Sequence, residues 1–126
     1  MRPEAAQHLR RAEELLDVAQ ENLAHAHPAD SVSRSYYAMF RSATAVLKDL
    51  GIERKSHHAL WAAFGEHVAV KGLMPPKYHR YGLDAFSARS LSEYVAEPED
   101  TPEDAAEALR MAREFVSASR GFLNRR

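Results

Sequence analysis

The widest apolar face in the chain sets the terms for everything around it. From Val32 the apolar positions run Val32, Tyr36, Met39 with Phe40, Ala43, Val46 with Leu47, and Leu50, at steps of three and four. That spacing is the signature of a helix, and a face this broad needs more than one neighbour to cover it. The segment is therefore expected to be the central helix, stopped by Gly51, which takes a left-handed conformation cheaply. The remaining strip carries Arg34, Tyr37, Arg41, Thr44 and Lys48, again at helical steps. Such a strip is either a solvated face or an interface, since tyrosine and arginine together are enriched where proteins bind.

The flanking segments supply the neighbours. Pro3 to His27 opens with proline at a first helical position, and Leu9, Ala12, Leu16, Ala19, Leu23 and Ala26 form a heptad-like seam. His27-Pro28-Ala29-Asp30-Ser31 breaks the pattern, with Asp30 or Ser31 as the expected cap of the central helix. After the connector Ile52 to Lys55, Ser56 is the expected N-cap of a shorter helix with Leu60, Ala63, Phe64, His67 and Val68 along one side, ending at Gly72. Trp61 lies opposite Ala63 and Phe64, as a second core contact or an interface anchor.

A fourth helix is expected from Pro76 to about Ala96, with Gly82 inside it costing about 1 kcal/mol of propensity and making the first turns irregular. Thr101-Pro102-Glu103-Asp104 is the clearest helix start: a capping threonine, a proline and first-turn acids. It leads into a seam of Ala105, Leu109, Ala112, Val116, Ser119 and Leu123. No stretch alternates, so strands are not expected. The fold class is all-α, an up-and-down bundle of four long helices plus one shorter helix, in a single domain over residues 1–126.

Composition narrows the function. A net charge of −1 does not suit an unspecific nucleic-acid coat. With no cysteine, thiolate metal sites, disulfides and cysteine catalysis are out. No apolar run approaches the roughly 20 residues of a membrane span and no signal-peptide core is present, so a cytoplasmic protein without membrane partners is expected. Dinucleotide, P-loop, zincin and serine-hydrolase motifs are missing, and no cofactor is called for. A metal site is not expected either, because His25 and His27 fall on different faces of a fraying helix. Lys55-Ser56-His57-His58 has two readings. The first amides of a helix, with lysine and histidine beside them, make an anion pocket; or His57 packs its ring on the central helix and donates to a backbone carbonyl.

Tyr36-Tyr37-Ala38-Met39-Phe40, Gly51-Ile52, Lys55-Ser56-His57, Phe64-Gly65-Glu66-His67, and Arg89 followed by Glu93-Tyr94, in this order across roughly residues 5 to 123, resemble the prokaryotic HEPN domain family. The resemblance implies a helical bundle that forms homodimers and is often paired with a small nucleotidyltransferase in a toxin–antitoxin-type module. Many members are metal-independent ribonucleases with an Arg-x(4–6)-His motif. Here Arg89 stands where the arginine would be, but Tyr94 takes the histidine's place. The literal match, Arg2 to His8, begins with proline at the N-terminus. Tyrosine, with a pKa near 10, is a poor proton acceptor at neutral pH, whereas histidine suits the task. The resemblance thus implies a nucleotide- or RNA-phosphate-binding module with Arg34, Lys55, His57, Arg89, Glu93 and Tyr94 as its shared polar site, rather than an enzyme. In that site Arg89 and Lys55 hold a phosphate, His57 and Glu93 orient it, and Tyr94 lines the cleft and is a hydroxyl for a partner to modify. The alternatives are a ribonuclease toxin with His57 and Arg89 as catalytic residues, and a purely structural dimer.

Overall fold

The computed structural model spans residues 1–126 and describes every side chain except those of Ser92 and Glu93. Its helices are α1 (Pro3–Ala24), α2 (Pro28–Asp49), α3 (His57–Phe64), α4 (Lys77–Glu93) and α5 (Pro102–Asn124), and no strand occurs among the described residues. A single π-helical turn, Gly65–Ala69, continues α3. The architecture is the expected all-α bundle. α2 is its axis: it packs most extensively on α1, then on α5, and also meets α3 and α4.

Local chemistry explains the boundaries. Pro3 and Pro102 sit in the first turns of α1 and α5. Thr101 and Asp104 form a capping box: Asp104 N–H donates to Thr101 Oγ1 at 3.1 Å, and Thr101 N–H donates to the Asp104 carboxylate at 3.0 Å. Ser56 caps α3, accepting from Ala59 N–H at 3.0 Å. Gly51 turns the chain out of α2 with φ +79°, and Gly72 does the same after the π-turn with φ +69°. Several expected boundaries shift. α1 stops at Ala24, since the chain leaves the helix through Ala26 at φ +63°, and α4 stops at Glu93 rather than Ala96. α2 begins at Pro28, so neither Asp30 nor Ser31 caps it. Asp30 lies in its first turn, and the buried Ser31 Oγ instead donates to Ala19 O across the α1–α2 interface at 2.8 Å.

The core uses both heptad seams. Leu9, Ala12, Leu16 and Ala19 of α1 and Ala105, Leu109, Ala112, Val116, Ser119 and Leu123 of α5 are all buried. α2 has a second buried seam, Ser31, Ser35, Ala38, Ser42, Ala45 and Asp49, so that it is covered on nearly all sides. Small side chains there, and Ala5, Ala12 and Ala19 of α1, let the two backbones approach closely. Asp49 closes this pair: its carboxylate accepts from Arg2 N–H and from Arg126 Nε, each at 2.6 Å. Trp61 belongs to the core, 1% exposed, with its ring edge-on to Phe64 and Phe115. Gly82 fits α4 against that indole, since a Cβ there would lie 2.2 Å from its ring. The glycine's propensity cost is offset by close approach, and α4 is an unbroken helix through it.

Candidate functional site

The Tyr36-Tyr37 pair on α2 is the platform of the candidate site. Tyr36 points inward and is fully buried, while Tyr37 is partly covered at the edge of the same face. The first turn of α3 brings His57 onto them, with ring centroids 5.6 Å from Tyr36 and 6.1 Å from Tyr37. Phe40, one turn further along α2, stacks on the imidazole at 4.3 Å, and Phe86 of α4 stacks at 5.6 Å. From α4, Arg89 lays its guanidinium over the same two tyrosines, 4.7 Å from the Tyr37 centroid and 5.6 Å from that of Tyr36. Arginine over an aromatic face is a favourable cation–π arrangement. Imidazole and guanidinium thus share one aromatic floor.

Polar contacts fix this floor from below. Trp61 Nε1–H donates to the Tyr36 hydroxyl at 3.2 Å, and that hydroxyl meets His57 Nδ1 at 2.5 Å. Burial raises the Tyr36 pKa to about 12, against smaller opposing effects of the Trp61 hydrogen bond and the Arg89 charge. The phenol therefore keeps its proton throughout the neutral range.

Above the floor lies an open cleft of about 1110 Å³ between the start of α3 and the outward face of α4. Ser56, His57, His58, Leu83, Phe86, Ser87, Arg89, Ser90, Leu91 and Tyr94 line it. Of the residues singled out from sequence, His57, Arg89 and Tyr94 come together here. Tyr94 stands at the rim, 89% exposed. Lys55 is exposed in the connector one residue before Ser56, and Arg34 is exposed on α2; neither lines the cleft. The Glu93 side chain lies outside the described residues. His57 packs on α2 as one sequence reading had it, with its Nδ1 meeting the Tyr36 phenol.

The literal Arg2–His8 match is taken apart by the fold. Arg2 serves the end of α2, its guanidinium donating to Lys48 O at 3.1 Å. His8 Nδ1 accepts from Arg41 at 3.1 Å, and burial, then Arg41 and Lys48, hold its pKa below the usual histidine value. This His8–Arg41 contact was not visible in sequence, because it joins two helices 33 positions apart. The Trp61–Tyr36–His57 chain escaped for the same reason: nothing in the spacing aims the indole N–H at the phenol. Among the described residues no three histidine or carboxylate side chains gather as a metal site, and no helix is long and apolar enough to cross a membrane.

With this geometry, comparison with known proteins decides the family. The HEPN domain model matches residues 5–122. The chain belongs to the HEPN domain family. It is similar to a UPF0332 protein of Gloeobacter violaceus, 36% identical over 124 residues and 98% of each chain. A UPF0332 protein of Pyrococcus horikoshii is 35% identical over 89 residues, 71% of this chain and 63% of that one. A Methanocaldococcus jannaschii protein that carries the name "Putative toxin" is 29% identical over 109 residues, 81% of each chain. In this HEPN domain the YYAMF segment is thus the tyrosine platform with its Phe40 support, and Lys55-Ser56-His57 is the cap of α3 that delivers the imidazole to it.

Proposed function

We propose that this HEPN domain is a phosphate-binding helical module that pairs with a second copy and works beside a nucleotidyltransferase in a toxin–antitoxin-type system. The observation that carries the reading is the shared platform: a guanidinium and an imidazole on the same two tyrosines, at the edge of one open cleft. Arginine offers a planar fork of donors suited to phosphate oxygens, and histidine adds a further polar contact. The amides at the start of α3 favour negative charge at the same spot. Leu91 and Phe86 give a base or ribose an apolar surface. The ligand class is a nucleotide or an RNA phosphate.

Support for the wider reading comes from elsewhere. Leu83, Leu91, Tyr94 and Val95, on or just after α4, are exposed apolar or aromatic side chains of the kind a second copy covers. The toxin name carried by the M. jannaschii relative supports the toxin–antitoxin setting. A thermal-shift titration with AMP and with a short RNA tests the binding. Ligand stabilises the wild-type protein, and His57→Ala and Arg89→Ala each sharply reduce that shift, with His57→Ala also lowering the unliganded melting temperature because it leaves the buried Tyr36 hydroxyl without its acceptor. A shift that survives both substitutions refutes the cleft as the binding site; a protein that no such ligand moves is left as a structural dimer.

A second reading, a metal-independent ribonuclease, is supported by the same sharing of the cleft: in it Arg89 stabilises phosphorane charge beside the His57 imidazole. It requires RNA cleavage in the presence of chelator that both alanine variants lose. Tyr94 in place of the motif histidine argues against it, since an exposed phenol is a poor base near pH 7.

A further inference from the structure

We propose that Tyr36, backed by Trp61, is a positioning residue that holds His57 in the tautomer with Nδ1 bare and Nε2 protonated, so that the imidazole meets its ligand as a hydrogen-bond donor. The part concerning ligand rests on the phosphate-binding reading above; the part concerning the tautomer stands on hydrogen-bond accounting alone.

An indole N–H can only donate, so Trp61 Nε1, 3.2 Å from the phenol, fills one lone pair of the Tyr36 oxygen. The phenolic hydrogen must then go to some other acceptor, and Tyr36 is fully buried, out of reach of bulk water. His57 Nδ1, 2.5 Å away, is the acceptor in place. A proton on Nδ1 would turn that nitrogen into a donor and strand the phenolic hydrogen in the core, at the cost of an unmade buried hydrogen bond. The phenol itself does not give the proton up, because its burial disfavours the phenolate. Nδ1 is therefore bare, and in a neutral imidazole the proton sits on Nε2.

Packing keeps these roles from exchanging. The imidazole is stacked on Phe40 at 4.3 Å and on Phe86 at 5.6 Å. Rotating it by half a turn would set a ring carbon against the Tyr36 hydroxyl. Whatever Nε2 contacts in the unliganded protein, it contacts as an N–H. Arg89 has only donors too, so the two groups on the tyrosine floor present a matched pair of donors to an anion. The ribonuclease reading changes accordingly: with its lone pair already engaged by Tyr36, neutral His57 gives a proton to a leaving oxygen rather than taking one from a ribose hydroxyl.

Nitrogen-15 NMR of the imidazole distinguishes the tautomers directly. In full-length wild-type protein at pH 8, where an ordinary histidine is neutral, His57 should show a protonated, pyrrole-type Nε2 and a bare, pyridine-type Nδ1. Tyr36→Phe keeps the ring and removes the hydroxyl, and should convert this into a mixture of tautomers and weaken AMP binding several-fold, with circular dichroism reporting a retained fold. A protonated Nδ1 in the wild type overturns the proposal without any variant. So does a Tyr36→Phe protein that keeps the wild-type tautomer. If the tautomer is as expected and AMP binds to neither protein, the relay stands and the phosphate-binding reading falls.

Discussion

The α1–α2–α5 side of the molecule and the α3–α4 side are built to different rules. On the first side, apolar or small residues recur at heptad-like steps and nearly all are buried, the ends are tied by Asp49 to Arg2 and Arg126, and Arg120 of α5 pairs with Glu13 midway along α1. On the second, α4 is weakly amphipathic. It leaves Leu83 and Leu91 exposed, holds Arg89 on aromatic faces, and reaches the core partly through a glycine seated on Trp61. The contrast teaches where stability and chemistry are separated. The first side supplies burial; the second holds His57 and Arg89 on aromatic faces at the edge of an open cleft.

Substitutions can break or sharpen that division. The largest effect is expected on the packed frame: Phe115→Ala, in a fully buried ring that touches Trp61, Phe64 and Tyr78, should cost about 3–5 kcal/mol in denaturant unfolding. A cost below 1 kcal/mol would mean that the aromatic core is looser than described. Next is the seam between the two sides. Gly82→Ala drives a methyl into the Trp61 ring and should destabilise by about 1–3 kcal/mol, although alanine is the better helix former; a stabilised variant would show that α4 is free to move away. Thr101→Ala removes the capping box of α5 and should cost about 1 kcal/mol.

Acid should also act on the frame first. Burial alone would raise the Asp49 pKa, but the Arg2 N–H, the Arg126 guanidinium and the N-terminal charge outweigh it and hold the carboxyl below its usual value. The folded pKa is therefore depressed. Its stabilising contribution is complete above the unfolded value near 4 and is lost as pH falls through the lower folded value. The stability difference between wild type and Asp49→Asn should accordingly be largest at neutral pH and shrink below about pH 4. A pH-independent gap would remove Asp49 from this role.

How far the sequence could be read follows the same division. The seam of α5, that of α1 as far as Leu23, the Thr101 cap and the Gly51 stop were all legible, because each depends on residues within one or two turns of each other; Ala26, expected to extend the α1 seam, is exposed beyond the helix end. The second seam of α2 was not, since Ser31, Ser35 and Ser42 look polar on paper and are buried only because α1 comes close enough to cover them. The π-turn after Phe64 was also hidden, although Gly65, where a Cβ would sit 2.7 Å from the His79 ring, marks the place. At the site, the family resemblance pointed to His57 and Arg89, and only the fold places both on Tyr36 and Tyr37. Charge and motif group Arg34 and Lys55 with them, but a helical strip does not reveal which of its residues borders a cleft formed by two other helices.

Whether His57 and Arg89 act on one ligand from one platform is read from a double-mutant cycle on AMP affinity. Residues that share a ligand and a floor should couple, with the His57→Ala/Arg89→Ala double variant departing from the sum of the single losses by about 0.5–3 kcal/mol. Losses that add to within about 0.3–0.5 kcal/mol, as for independent positions, would contradict a shared platform.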